Sequence, residues 1–296
     1  MKKIFLYILF LIPILADAQS WKRYRREYLY AFGMSNVLSD LGGANQIGTH
    51  FLKDYEWAAT RGIATFGYRY RIDRHHSLSG SISAGWMYMS DKLTAEQFRN
   101  KRNITVRTPI IEVVGRYEYF INKDKEGNRY NIRHAKGIRN FHLHTYGFAG
   151  IGLFYFQPQG QYIDGSWQNL RKLSTEGQGL PGGVPKYSPV SVCFPVGIGT
   201  KYALTRLLSI GLEFGKRYTL TNYLDDTGGK YYDYNTILQN KGTIAAHFSD
   251  PAVANGDHAG GAWNGETRGK KDKDTYLFLQ VTVSQKIAPK RTKAKF

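Results

Sequence analysis

Five charged residues define the chemistry available to the interior of this chain. Glu112, Arg116 and Glu118 lie in one segment and Glu213 and Arg217 in another, all on the inward side of a two-residue alternation. Charges so placed face one another only across a shared interior, and there each needs an opposite partner. They are expected to form a salt-bridged filling; a gated polar channel is the alternative. His142 and His144 share one face at i, i+2 and could hold a metal, but no third ligand follows them, so paired or solvated imidazoles are expected. Asp225 and Asp226, with Asp233 nearby, offer hard oxygens to Ca²⁺ without the ligand spacing of an EF-hand. His247 shares a long loop with that Asp pair, and a hydrolase would need such a His–Asp set beside a nucleophile. No G-x-S-x-G signature is present, and no enzyme, metal or cofactor is expected. The single Cys193 sits in a strand-like run and reads as a small space-filler, since it cannot form an intramolecular disulfide.

A second group is basic. The segment 122–139 carries Lys123, Lys125, Arg129, Arg133, Lys136 and Arg139 around Tyr130 and Ile132, a polar rim with small apolar anchors of the kind that docks a partner. Its net charge is +4, that of 22–27 is +3, and that of 286–296 is +5, whereas the four long loops elsewhere nearly cancel. Basic charge gathered at one end calls for an anionic partner there, either lipid headgroups or an acidic protein face.

The elements that would position these residues alternate with a period of two. Between Ser77 and Tyr88 one face carries Leu78, Ile82, Ala84, Trp86 and Tyr88, and the other carries Ser77, Ser79, Ser81, Ser83 and Gly85. Successive strand residues point to opposite faces. An apolar face ending in aromatics beside a small, wet face fits a barrel strand with lipid outside and a polar lumen inside. Eight segments follow this rule: 27–38, 60–72, 77–90, 104–121, 140–156, 189–204, 207–220 and 275–287. In the last, both Tyr276/Phe278 and Leu277/Leu279/Val281/Val283 are candidates for the lipid face. The chain holds 22 Tyr, 16 Phe, 5 Trp and 32 Gly. Rings of Tyr and Trp favour the bilayer interface, and glycine suits crowded strands.

An export signal precedes the strands. Lys2 and Lys3 are followed by an apolar run over 4–15 and by Ala16-Asp17-Ala18, a small-x-small cleavage pattern. The run is shorter than the ~20 residues of a spanning helix. Residues 1–18 are therefore expected to be removed, leaving 19–296 as one outer-membrane barrel domain with a basic tail from about 288. Connections 39–59, 91–103, 157–188 and 221–274 are long, and those at 73–76 and 205–206 are short. Only 122–139 breaks that pattern. Since such barrels carry short periplasmic turns and long external loops, both termini are expected in the periplasm.

The chain resembles the PorG-type barrels of the type IX secretion system, within the OmpA-like eight-stranded group. The likeness is carried by Ser35-Asn36-Val37-Leu38-Ser39-Asp40-Leu41-Gly42-Gly43 (with Ser39 where Gly is expected) and by Arg107-Thr108-Pro109-Ile110-Ile111-Glu112. It continues through Gly150-Ile151-Gly152-Leu153-Phe154-Tyr155-Phe156-Gln157-Pro158, Thr175-Glu176-Gly177-Gln178-Gly179 and Gly211-Leu212-Glu213-Phe214-Gly215. It ends with Thr221-Asn222-Tyr223-Leu224-Asp225-Asp226 and Tyr231-Tyr232-Asp233. What the resemblance implies is a non-enzymatic role, with the periplasmic ring proteins PorK and PorN as partners.

The expected fold is thus all-β: an eight-stranded antiparallel transmembrane barrel with long extracellular loops. Lipid and the ring proteins are its expected partners, with no nucleic acid and no small-molecule substrate. A structural or adhesive barrel working through loops 157–188 and 221–274 is the alternative, and a barrel hydrolase a more distant one.

Overall fold

Side-chain alternation builds the strands of this computed structural model, which describes residues 24–39, 41, 57–93, 103–122, 143–205, 207–254, 267–269 and 272–288. In chain order they are β1 (Arg26–Leu38), β2 (Arg61–Arg71), β3 (His76–Ser90), β4 (Thr105–Phe120), β5 (Leu143–Phe156), β6 (Gln159–Gln161), β7 (Trp167–Asn169), β8 (Val190–Ala203), β9 (Leu208–Thr219) and β10 (Thr275–Lys286). All but β6 and β7 form the ring. Neighbours pair antiparallel around it in the order β3-β2-β1-β10-β9-β8-β5-β4, and β3 pairs with β4, His76 opposite Tyr119, to close it. The result is a closed eight-stranded antiparallel β-barrel.

The outward face is apolar throughout its middle. Phe32 is 70% exposed, Ile198 63% and Val113 57%, and Leu78, Ile82, Ile151 and Leu212 are exposed with them. No soluble protein leaves such a belt in water, and in a bilayer it is the stabilising surface. Aromatics bound the belt: Tyr28, Tyr70, Tyr117 and Tyr119 toward one end, Trp86, Tyr155 and Tyr218 toward the other. No described helix is long and apolar enough to cross a membrane. The crossing is made by strands.

In β10 the choice between faces is resolved. Tyr276 and Phe278 turn inward, at 0% and 1% exposure, while Val281 is half exposed outside. Both faces are apolar there because the lumen itself is apolar at that height. Met87, Val106, Ile110, Phe154, Phe156, Tyr276 and Phe278 form one core with Leu224 and Phe248 from the last long loop.

Two turns at the end opposite the long loops are short for a local reason. Asp73 Oδ1 accepts from the backbone N–H groups of His75 and His76 at 2.7 and 2.8 Å. Thr205 Oγ1 accepts from those of Leu207 and Leu208 at 3.3 and 3.0 Å. Such side chains replace the backbone partners that a tight turn removes.

The described parts of the long loops at the other end, chiefly 157–188 and 221–254, fold into a cap. Hairpin β6–β7 extends the wall, with Val106 of β4 opposite Gly160. Four helices follow: α1 (Leu170–Leu173), α2 (Tyr234–Lys241), α3 (Thr243–Ser249) and α4 (Pro251–Ala254). The second and third of these are separated by Gly242, at φ 86°. Asp233 starts α2, its carboxylate accepting from Thr236 N at 2.7 Å, a cap worth about 1 kcal/mol. Ile237, Ala245 and Ala246 form a small core beneath Leu173, Leu180 and Tyr232.

Candidate functional site

Inside the half of the barrel nearer the short turns, one carboxylate faces three cations. Glu27 of β1 meets Arg69 Nη1, Arg71 Nη2 and Lys201 Nζ, each at 3.1 Å. Arg69 Nε reaches on to Glu118 at 2.5 Å, and Ser79 Oγ donates to Glu118 at 2.6 Å. Arg116 bridges Glu118, at 3.3 Å, and Glu213, which also accepts from Tyr146 OH at 2.9 Å. Aromatic faces cover the cations, with Arg116 4.6 Å from the Phe148 ring centre and Arg69 5.0 Å from that of Tyr146. Gly199 makes room for this, since a Cβ there would lie 2.4 Å from the Tyr146 ring.

Of the five expected lumen residues, Arg116, Glu118 and Glu213 meet in this network. Glu112 and Arg217 form a separate pair nearer the cap, at 3.6 Å, with Tyr276 OH donating to Glu112 at 2.5 Å. Sequence reading missed Glu27, Arg69, Arg71 and Lys201. Arg69 and Arg71 alternate with outward Tyr68 and Tyr70, a signal that was present. Glu27 sits in a basic run and reads as rim, although it is fully buried. Between the charged layer and the apolar core lies a cavity of about 20 Å³ lined by Thr65, Arg116, Glu213 and Gln280. It has room for about one water. This interior is filled, as expected for eight strands.

The cap holds a second buried polar cluster. Arg268 donates to Glu176 Oε1 at 3.2 Å, Thr175 Oγ1 at 3.2 Å, and the carbonyls of Asp226 and Phe248 at 2.9 and 2.8 Å. Glu176 Oε1 also accepts from the N–H groups of Gly228 and Gly229 at 3.1 and 3.2 Å. Thr175 and Tyr187 hydroxyls donate to Asp226 at 2.5 and 2.6 Å. Burial pushes the Glu176 carboxyl up to about 7, against the Arg268 charge that would lower it. Burial raises Asp226 as well. Asp226 holds its position at φ 62°, a left-handed turn that Asp tolerates better than most residues.

This geometry does not assemble the Ca²⁺ site or the His–Asp pair that the sequence left open. Asp225 accepts from the backbone of Leu41 and Thr227, Asp226 from Thr175 and Tyr187, and Asp233 caps α2. Among the described residues no three His, Cys, Asp or Glu side chains converge on a point. His247 packs edge-on against Tyr162, ring centres 5.1 Å apart, and burial lowers its basicity. Cys193 is fully buried with Sγ 3.7 Å from Glu112. His144 points inward and is buried; His142 lies outside the described residues. So do Lys123, Lys125, Arg129, Tyr130, Arg133, Lys136 and Arg139, together with residues 1–23 and 289–296.

No family model matches the chain, and a search of curated proteins finds no relative. Solved structures do resemble it. The outer membrane protein OprG from Pseudomonas aeruginosa aligns over 90% of this chain and 98% of its own, at 10% identity and a TM-score of 0.38. Neisserial surface protein A aligns over 88% and 96%, at 10% and 0.37. Ail, the attachment invasion locus protein of Yersinia pestis, aligns over 88% and 98%, at 11% and 0.36. The closed register of eight antiparallel strands, with its apolar exterior, makes the chain an eight-stranded barrel of the outer-membrane type.

Proposed function

We propose that this barrel is a non-enzymatic outer-membrane component of the type IX secretion machinery, holding the periplasmic PorK–PorN ring at the membrane. The observation that carries the reading is the concentration of positive charge in the sequence at 22–27, 122–139 and 286–296, which adjoins the strand ends Arg26, Phe120, Leu143 and Lys286, all at one end of the barrel. The sequence resemblance to PorG-type barrels supports it. The filled interior also supports it, because an eight-stranded barrel whose lumen is packed with its own buried side chains acts through its surfaces. In this reading residues 1–18 are an export signal, both termini lie in the periplasm, and Lys123, Lys125, Arg129, Tyr130, Arg133, Lys136 and Arg139 form the docking surface. Replacing Lys125, Arg129, Arg133 and Lys136 with Glu should abolish co-purification of the ring proteins while the barrel still folds. Undiminished co-purification from a folded variant refutes the docking site.

A second reading is favoured by one observation, the folded cap with its own small core. Loops kept only for connection would not bury Ile237, Arg268 and Glu176, so the cap presents a shaped surface that could bind a ligand outside the cell. Deleting 234–254 separates the two: secretion survives under the first reading, and a surface phenotype appears under the second.

A further inference from the structure

Two arginines at the cap end of this barrel differ in their partners from those buried in the lumen and the cap. Arg69, Arg71, Arg116, Arg217 and Arg268 are buried against carboxylates. Arg61 and Arg107 form no ion pair among the described residues. Their guanidiniums lie on aromatic rings at the cap end of the barrel. The Arg107 guanidinium is 4.2 Å from the Trp167 ring centre and 5.6 Å from that of Trp86, with Nε donating to Gln159 at 2.8 Å. The Arg61 guanidinium is 4.1 Å from the centre of Tyr88, and its Nη1 donates to the carbonyls of Ala58 and Thr60.

The register brings both cations to one place. Tyr88 of β3 stands opposite Arg107 of β4, and Trp86 stands opposite Pro109. Trp86, Tyr88 and Arg107 share the outward parity of their strands, whereas Arg61, opposite buried Ser35, opens β2 on the inward parity and brings its guanidinium to the Tyr88 ring from the end of the strand. Below them on the same face run Ile82 and Ile111, both about half exposed, within the apolar belt. Two planar cations thus sit just where the wall leaves the hydrocarbon, in the aromatic layer. Stacking leaves most guanidinium edges free to donate, in the fork that suits phosphate oxygens. A free anion in solution has no need of an adjoining greasy wall; a lipid whose chains cover Ile82 and Ile111 does.

We propose that Arg61 and Arg107, set on Tyr88, Trp86 and Trp167, bind the phosphate-bearing headgroup of a lipid in the leaflet at the cap end. The acyl chains lie down the β3–β4 face, and the headgroup phosphate meets both guanidiniums. Gln159 and hairpin β6–β7 fix the fork of Arg107 in advance.

The test titrates the full-length barrel in neutral-detergent micelles with diphosphoryl lipid A and counts retained lipid by native mass spectrometry. Saturable binding is expected, weakened about tenfold or more in the R61Q/R107Q double variant, since charge-assisted hydrogen bonds to phosphate are lost. R107K keeps the charge without the fork and should fall between the two, which preserves the test if the double variant does not fold. Heat-modifiable mobility on gels reports folding. Equal binding by a folded double variant and the wild type, or by R107K and the wild type if the double variant does not fold, overturns the proposal. So does equal binding of the fully dephosphorylated lipid. Displacement of lipid A by millimolar inorganic phosphate also overturns it, because the site would then belong to a soluble anion.

Discussion

Glu27 carries more of the interior than any other single side chain. Its carboxylate lies against Arg69, Arg71 and Lys201, so removing its charge takes an ion pair from each of three buried cations. Breaking a buried pair by removing one partner costs about 3–5 kcal/mol. Glu27→Gln should lower the denaturant midpoint of the folded barrel by that order, measured by the mobility shift between folded and unfolded forms. An exposed carboxylate such as Asp272 should tolerate conversion to its amide, because solvent already screens its charge. Glu176 in the cap works in the opposite sense. Its folded pKa of about 7 lies above the ordinary 4.5, so the folded cap holds a proton that the unfolded chain releases. Stability is then greatest below about 4.5, falls through the window up to 7, and stays at its lowest above. Asp226, also raised by burial, acts in the same direction. Limited proteolysis of the cap should be slower at about pH 5.5 than at pH 8, and Glu176→Gln should flatten the difference. Faster cleavage at the lower pH would contradict this account.

At the level of the strands, the two faces of one segment respond to charge differently. Val113 faces lipid near the middle of β4, and Val113→Arg should destabilise the barrel by about 2–4 kcal/mol in vesicles. Its neighbour Glu112 points inward to Arg217 and Tyr276, so Glu112→Gln should cost stability whether or not the surrounding lipid is changed. The strands were legible in sequence because alternation is a local signal. Tyr28, Tyr30, Phe32 and Met34 could be assigned to the outside without any knowledge of what they meet. β10 was not legible in this way. Tyr276 and Phe278 are as greasy as Leu277 and Leu279, and the choice depends on the apolar plug delivered by distant Leu224 and Phe248. Arg116, Glu118 and Glu213 were legible by parity, but their partners were not. Whether Arg116 meets Glu213 depends on strand order and stagger around the ring, and Glu27 was hidden by the basic residues beside it. The cap escaped for the same reason: the contact of Arg268 with Glu176 joins two loops that no local pattern connects.

Across the whole molecule, a charged layer toward the turns and an apolar layer under the cap leave no continuous aqueous path through the described interior. Recordings in planar bilayers should therefore show no stable open level for the wild type, and a steady conductance would contradict the filled lumen. The ring has a further property that follows from where Glu27 sits. This residue belongs to the first strand, its partner Lys201 to the sixth of the eight, and Arg69 to the second. The first strand can reach the sixth only across the finished cylinder, once it has also zipped against the last, Glu27 opposite Lys286. A half-built sheet holds Glu27 only against Arg69 and Arg71 of the neighbouring strand, so closure supplies the third cation, Lys201, and stabilises the finished ring over an open one. A chain arrested one strand short should therefore come apart more readily than the completed cylinder, lacking both the last seam and the salt bridge that spans it.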